Sequence, residues 1–347
     1  MTSLPATLPV PQFAPLRGGP VLRWGIIAPG NIAHQFATGL RKHTDQRITA
    51  VASRSAERAA SFAADFDVER VHATYEALVA VPEVDIVYVA SPHPSHREHA
   101  LLAIAAGKNV LVEKPIGISA AEAREVAAAA SAAGVFLLEA MWTRFQPKTV
   151  LIHQLVADGT LGTVREVEAS FGFAFEPNPE HRLLNPALGG GALLDLGVYP
   201  IAFALGILGA PTGFDVRGRT AFTGVDAHVV IIGEHGEHGG AFSRLATSLD
   251  ARPTNRATIL GEAGRIEVPP MFHETSEFDL VIKEERMRWV DPTEVRGPDA
   301  LAFQAVAAAA DIAAGRTESA LHPLSTSIAV LEVIDAARAA VGSVSLG

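Results

Sequence analysis

Hydrophobic positions follow two different rhythms along the chain. As far as about residue 143, short β-branched runs alternate with Ala-rich segments whose apolar residues recur at helical spacing. Residues 21–28, 48–52, 84–90, 109–112 and 135–138 read as buried strands. Between them, 31–41, a segment opened by Ser55 with Glu57 in its first turn, 95–106 and 120–133 read as helices, and Gly107 and Gly134 suit left-handed caps. Strand and helix alternating at this spacing predict right-handed crossovers, hence an α/β, doubly wound parallel sheet. After about residue 144 the rhythm changes. Residues 148–158 read as a helix, and long β-type runs follow at 164–173, 214–222, 227–233, 241–249, 257–260 and 278–283. Gly-containing turns such as Gly233-Glu234-His235-Gly236 suit antiparallel hairpins, and helices at 299–313 and 324–341 close the chain. The expected organisation is a flexible extension over 1–20, a dinucleotide-type domain over 21–143, and an α+β domain with a large, mostly antiparallel sheet over 144–347.

Composition supports two packed domains and narrows the partners. The chain has 347 residues, 48% of them hydrophobic and 19% charged, against roughly 100–200 residues per domain. Mean hydropathy is +0.23, yet no run of about 18 uninterrupted apolar residues occurs. Ala-rich stretches such as Val126-Ala127-Ala128-Ala129-Ala130 account for the value, so no membrane partner is expected. The net charge of −10 opposes a phosphate backbone, and no Lys/Arg cluster overrides it, so no nucleic-acid partner is expected either. Absence of cysteine excludes disulfides, thiolate metal sites and thiol nucleophiles. Residues 1–20 carry several prolines and no cationic start followed by an apolar block, so a secretory signal is not expected and a cytoplasmic location is.

Chemistry concentrates in a few stretches. Ala28-Pro29-Gly30-Asn31-Ile32-Ala33 stands between the first strand and the first helix and fits G-x-G-x-x-A, with Ala28 replacing the first glycine. Gly30 would admit a pyrophosphate to the helix N-terminus, and Ala33 would let the helix pack closely. An ordinary tight turn is the alternative; the strand–turn–helix context favours the dinucleotide. At the end of the second strand, Ala52-Ser53-Arg54-Ser55 lacks the carboxylate that would bind an NAD ribose. Arg54 and Ser53 can instead hold a 2′-phosphate, which favours NADP, with NAD as the second option. Glu113-Lys114-Pro115 follows a strand at the carboxyl edge where open α/β sheets bind ligands.

A second stretch runs Gly189-Gly190-Gly191-Ala192-Leu193-Leu194-Asp195-Leu196-Gly197-Val198-Tyr199-Pro200. Four residues apart, Asp195 and Tyr199 share a helix face. Pro200 inside that helix costs about 3 kcal/mol in a regular interior, and such broken local rules mark functional sites. The competing reading is a helix start with a capped Asp and a core Tyr. His93, His96 and His99 recur every three residues, but Pro94 separates the first from the helix and no carboxylates complete a set, so no metal is expected. His235 and His238 in their Gly-rich turn read as solvated; Val229 and Ile231 read as sheet core or subunit interface. No Gly-x-Ser-x-Gly elbow is present.

With Ser91-Pro92-His93-Pro94-Ser95-His96 and Glu139-Ala140-Met141-Trp142-Thr143-Arg144-Phe145, these stretches resemble the motif set of the glucose-fructose oxidoreductase / inositol dehydrogenase / MocA (Gfo/Idh/MocA) family. The likeness runs from about Val21 to the C-terminus. Within the family the chain is most similar to the branch of dimeric dihydrodiol dehydrogenases and NADP-dependent D-xylose dehydrogenases. Tyr199, where many relatives carry His, supports that branch. The resemblance implies an NAD(P)-binding Rossmann domain and a catalytic set of Lys114, Asp195 and Tyr199. Tyr199 would be general acid or base; a free tyrosine ionises near pH 10, and a neighbouring lysine lowers that. Asp195 would orient Lys114 or a substrate hydroxyl. The implied cofactor contacts are Ala28, Gly30, Asn31, Ile32, Ser53, Arg54, Ser91, His93, His96, Glu113 and Lys114, with His93 standing where the family has Asn. Trp142, Phe171 and Phe173 would wall the substrate, with Arg144 and Arg182 as polar contacts.

The implied reaction moves a hydride between nicotinamide and a secondary alcohol or hemiacetal carbon of a sugar, polyol or cyclic vicinal diol. The implied assembly is a homodimer or homotetramer paired through the second domain's sheet. Two other classes compete: a non-catalytic regulator sensing NADP, and a redox-assisted glycosidase or lyase that holds NAD permanently. Retention of Lys114, Asp195 and Tyr199 speaks against the first, and the missing carboxylate near residue 53 against the second.

Overall fold

The computed structural model describes residues 4–236, 239–274 and 276–344. Two compact units emerge: Phe13–Gln146 with Val295–Ser327, and Pro147–Glu294 with the residues from Ile328 onward.

In the first unit, β1 (Arg23–Ile27), α1 (Asn31–His43), β2 (Arg47–Ala52), α2 (Ala56–Phe66), β3 (Arg70–His72), α3 (Tyr75–Val79) and β4 (Ile86–Val89) are followed by α4 (His96–Ala105), β5 (Asn109–Val112), α5 (Ala120–Ala133) and β6 (Leu137–Glu139). The strands are all parallel, in the order β3-β2-β1-β4-β5-β6. This is the doubly wound order, with its switch point between β1 and β4. Central strands are buried on both faces, which is why β4 reads as an unbroken apolar run. Ser55, Thr74 and Ser119 cap α2, α3 and α5 by accepting backbone N–H bonds. Gly107 and Gly134 take positive φ at the ends of α4 and α5, as their positions predict. β3 and α3, too short to show a period, are not visible in the sequence pattern.

The second unit contains α6 (Pro147–Ala157), β7 (Val164–Gly172), a π-helical turn at Leu193–Gly197 and α7 (Val198–Leu208). Then come β8 (Gly213–Thr220), β9 (Asp226–His235), β10 (Ala241–Ser248), β11 (Ala257–Gly261), β12 (Gly264–Val268), β13 (Glu277–Ile282) and β14 (Glu285–Val290). Their order is β14-β13-β12-β11-β7-β10-β9-β8, antiparallel except for the parallel pair β7–β10. One face lies under α7, so β9 alternates: Val229 and Ile231 point inward and Ile232 is exposed. Val229 and Ile231 are therefore sheet core. The segment Pro186–Leu208 is long and apolar enough to cross a membrane by length and composition, but its most apolar window is 89% buried inside the fold, as a core helix is.

The last helices are α8 (Leu301–Ala313) and α9 (Leu324–Val341). The expected second-domain span 144–347 divides here, because α8 packs on α1 of the first unit. Asp299, just before α8, binds Lys42 (2.8 Å) and His43 (2.9 Å) at the end of α1, and Gly39 leaves room for its backbone. The extension expected to be flexible is tied down from Phe13 onward. Phe13 meets the Phe303 ring edge-on, and Arg17 donates to Asp45 and to the Lys42 and Thr44 carbonyls.

Gly233, expected in a turn, lies within β9, where a Cβ would stand 2.6 Å from Ser243 Oγ. His235 is buried and bonded to that hydroxyl at 3.0 Å, not solvated, while His238 lies outside the described residues.

Candidate functional site

At the carboxyl end of β1, Ala28 adopts φ +61°, the left-handed conformation that the absent first glycine would favour. Its N–H donates to the Ala52 carbonyl at 3.0 Å, and its own carbonyl accepts from Gly30 N–H at 2.7 Å. A Cβ on Gly30 would meet nothing nearer than the Ala28 carbonyl at 3.9 Å, so the space in front of this turn is open. Behind it, α1 begins with no side-chain cap and no acidic residue in its first turn. Uncapped N–H groups beneath open space are what a pyrophosphate needs, and the turn fits a dinucleotide. Asn31 is exposed and Ile32 half-buried beside it. Ser53 and Arg54 follow β2; Ser53 Oγ accepts from Ser55 N–H at 3.1 Å, and Arg54 is exposed. Ser91 and His93 follow β4, and Glu113 and Lys114 follow β5. Every one of these positions lies beyond the carboxyl end of a strand in one parallel sheet.

Two of the expected cofactor contacts face inward instead. His96 is fully buried, with Nδ1 2.6 Å from the Pro115 carbonyl and Nε2 2.7 Å from the Ser91 carbonyl, so neither nitrogen is left for a ligand. Burial pushes its pKa down, opposed by those two carbonyls. Glu113 is also buried; it accepts from the Tyr88 hydroxyl and from Lys114 N–H, and burial raises its pKa to about 7. These two residues hold the turn that carries half-buried Lys114. His99 Nδ1 lies within hydrogen-bond distance of Ser91 Oγ, at 2.9 Å. Trp142 is buried in the short helical turn Trp142–Phe145; Arg144, in the same turn, gives Nε and Nη2 to the Leu321 carbonyl at 3.2 and 2.8 Å.

In the second unit the glycine run makes a tight approach to a buried acid. Gly191 has φ +120°, and a Cβ there would lie 2.4 Å from Asp226 Oδ2. Asp226 is fully buried, accepts from Leu193 N–H at 2.7 Å and from the Ser343 hydroxyl at 3.0 Å, and so pins the start of the helical segment. Burial raises its pKa. The wide π-turn Leu193–Gly197 contains Asp195 and ends three residues before Pro200, whose ring a regular ladder would not accommodate.

Asp195 is gripped by both guanidinium nitrogens of Arg182, at 3.2 and 2.9 Å. Arg182, expected as a substrate contact, forms a two-pronged fork on the Asp195 carboxylate. Tyr199 is buried against Phe171 (ring centroids 5.5 Å) and His273 (5.0 Å), and Phe173 abuts Phe171 at 5.2 Å. Of the aromatic residues expected to wall a substrate, Phe171 packs on Tyr199 and Phe173 packs on Phe171. His273, Asp226 and the Arg182–Asp195 pairing were not legible, since each is a contact between distant segments with no local spacing to announce it.

Comparison with known proteins agrees with this geometry. Residues 22–140 match the family described as "Oxidoreductase family, NAD-binding Rossmann fold", and residues 149–267 match the "GFO/IDH/MocA C-terminal domain". The chain is 36% identical over 332 residues to trans-1,2-dihydrobenzene-1,2-diol dehydrogenase of Mus musculus, covering 92% of this chain and 97% of the relative. The Homo sapiens enzyme of the same name is 34% identical with the same coverage. A solved aldose-aldose oxidoreductase from Caulobacter crescentus, complexed with glycerol, superposes with TM-score 0.81 at 25% identity, covering 92% of this chain and 97% of that one. A 3-ketoreductase from Actinomadura kijaniata, with NADP and TDP-benzene, gives TM-score 0.79 at 26% identity, covering 96% and 100%. The uncapped dinucleotide turn, the lysine beyond β5, and similarity across both units make this chain a member of the Gfo/Idh/MocA oxidoreductase family, an NAD(P)-dependent dehydrogenase or reductase acting on CH–OH groups.

Proposed function

We propose that the protein is an NADP-dependent oxidoreductase of secondary alcohol or hemiacetal carbons in sugars, polyols or cyclic vicinal diols. One arrangement carries the reading: the uncapped N-terminus of α1 behind Gly30 and the half-buried Lys114 both lie at the carboxyl ends of strands in a single parallel sheet. The first suits a pyrophosphate; the second suits a cation at a reacting oxygen. The names of the dihydrodiol dehydrogenase and aldose-aldose oxidoreductase relatives point to the substrate class.

When bound, the nicotinamide accepts or returns the hydride. Tyr199 takes the hydroxyl proton during oxidation and gives it back during reduction. The Lys114 ammonium favours the alkoxide as it forms. Asp195, locked by Arg182, orients a substrate hydroxyl, and Phe171, Phe173 and Trp142 exclude water. Arg54 and Ser53 hold the 2′-phosphate that distinguishes NADP from NAD. In this reading copies pair through the sheet face opposite α7, where Ile232 and Phe242 are exposed, and the enzyme works in the cytoplasm with no metal, nucleic-acid or membrane partner.

A spectrophotometric screen of sugars, inositols and diols with NADP⁺ and NAD⁺ tests the substrate class. Lys114→Ala and Tyr199→Phe should each cut turnover to a small residual rate while NADPH still binds, and near-normal turnover in both overturns the assignment. Arg54→Ala should shift the NADP-to-NAD affinity ratio by about tenfold or more toward NAD; an unchanged ratio removes the NADP preference. Light scattering reads the assembly, and a monomer refutes the pairing.

A further inference from the structure

Glu139 ends β6 with its carboxylate almost wholly buried. Oε1 accepts the Ile116 N–H at 2.9 Å, two residues beyond Lys114. Oε2 lies 2.8 Å from His322 Nε2, and Ser327 bonds both that nitrogen, at 3.0 Å, and the carboxylate. His322 and Ser327 are themselves buried, and His322 Nδ1 has no hydrogen-bond partner among the described residues.

A serine, a histidine and a carboxylate in contact invite comparison with a nucleophilic triad, but the geometry excludes one. In a triad the serine and the acid engage opposite ring nitrogens, so that a proton taken at one is balanced at the other. Here both partners crowd Nε2 and Nδ1 is idle, so no proton can be relayed across the ring. The arrangement instead supplies a buried anion with donors from Ile116, His322 and Ser327. These bonds hold Glu139 below the usual carboxylate range despite its burial. Around Lys114 the backbone is then fixed on every side. Glu113 accepts its N–H at 3.2 Å, His96 meets the Pro115 carbonyl at 2.6 Å, and Glu139 accepts the Ile116 N–H.

We propose that Glu139 is a positioning residue for Lys114, and that His322 and Ser327 hold its carboxylate in the required geometry. The proposal rests on the reading that Lys114 is catalytic. Carboxylate chemistry is specific here: a glutamine in its place would turn an amide N–H toward one of the donors and could satisfy only the rest.

The test uses the full-length protein with NADP⁺ and whichever of D-xylose, D-glucose and trans-1,2-dihydrobenzene-1,2-diol the wild type oxidises fastest. Glu139→Gln and His322→Leu should lower kcat about 10- to 100-fold with the NADPH Kd within about twofold of wild type, a loss of the size expected when a reacting group is misplaced. His322→Gln, which keeps a donor toward Glu139, should restore most of kcat. Hydrogen exchange of the peptide containing Ile116, read on the cofactor-free protein, should accelerate at least about tenfold in Glu139→Gln and His322→Leu and not in His322→Gln. In a Lys114→Ala background, Glu139→Gln should leave the residual rate unchanged within about twofold, because there is no ammonium left to misplace.

A further multiplicative loss in that background, or a wild-type kcat in Glu139→Gln while Lys114→Ala is inactive, overturns this proposal alone. Near-normal turnover by Lys114→Ala overturns both it and the catalytic reading. Should Glu139→Gln not fold, Ser327→Ala takes its place as the milder loss of one donor, with the same readouts and a smaller drop in kcat; an unchanged kcat there overturns the proposal.

Discussion

Lys148 is a buried amine of the second unit, and its removal gives a prediction with a definite pH signature. It lies on α6 with 2% of its surface exposed, and among the described residues its Nζ donates to the Phe272 carbonyl at 2.5 Å. Burial pulls its pKa down from 10.5 to about 7, against the opposing pull of Asp291 and Glu274. Below pH 7 both the folded and the unfolded chain carry the proton, and folding bears the whole cost of burying it. Between pH 7 and 10.5 the unfolded chain binds the proton and the folded chain does not, so stability rises with pH. At 1.36 kcal/mol per pKa unit, the fall from 10.5 to about 7 amounts to about 5 kcal/mol, an order-of-magnitude figure.

Lys148→Met keeps a similar shape and removes the charge, but leaves the Phe272 carbonyl without its donor, at about 1–3 kcal/mol. The variant should therefore be more stable than wild type by about 2–4 kcal/mol at pH 6. Its advantage should shrink by about 1.4 kcal/mol for each pH unit above 7 and vanish near pH 9. Urea denaturation at pH 6, 7, 8 and 9, followed by circular dichroism and tryptophan fluorescence, measures this directly. A difference that stays constant across that range, or a variant less stable at pH 6, refutes the argument. Because Phe272 precedes the ring that packs on Tyr199, kcat should fall in the same variant even as stability rises.

Other perturbations follow from the turns and pairs around the site. Ala28→Gly removes a left-handed alanine that costs about 1–2 kcal/mol, offset in part by the greater freedom of unfolded glycine; a net gain of about 0.5–1 kcal/mol in chemical denaturation is expected, and a loss refutes the strain. Gly191→Ala places a methyl group against Asp226 at a φ of +120°, so a loss of about 3 kcal/mol or more in the same assay, with turnover lost in parallel, is expected. Arg182→Ala takes the fork from Asp195 and should lower kcat/KM about 10- to 100-fold, with Arg182→Lys restoring only part because one ammonium cannot span both oxygens; full activity in Arg182→Ala would show that the pair is structural.

What the sequence revealed depended on whether the cause of a feature was local. The parallel sheet was legible because its inner strands are buried on both faces and its helices end in glycine caps. The turn after β1 was legible despite Ala28, because strand, turn and helix lie side by side in the chain. β14 was not, because it is joined to β13 through Lys283 and Glu284, both at positive φ (47° and 67°), with neither glycine nor asparagine to mark the turn. The opposite error occurred at Gly233, where glycine serves close packing against Ser243 instead of chain reversal, and His235 was misread along with it. α8 was legible as a helix, but nothing in its own apolar pattern says which unit it joins. The pairing of Arg182 with Asp195 was missed because an irregular loop separates the two residues.

The backbone supports beneath the proposed catalytic residues follow one logic within each unit. In each, a buried carboxylate accepts a main-chain N–H two residues from a proposed catalytic side chain: Glu139 at Ile116 beside Lys114, and Asp226 at Leu193 beside Asp195. In each, a serine hydroxyl from late in the chain also binds that carboxylate: Ser327 in the first unit and Ser343 in the second. The contacts span long stretches of sequence, 183 residues from Glu139 to His322 and 117 from Asp226 to Ser343. A carboxylate suits the task because it accepts several donors at once and, when they are all present, tolerates burial that an unpaired charge would not. The turn that carries Lys114 and the irregular helical segment that carries Asp195, each of which alone would hold its side chain loosely, are therefore clamped from beneath by segments that return from late in the chain.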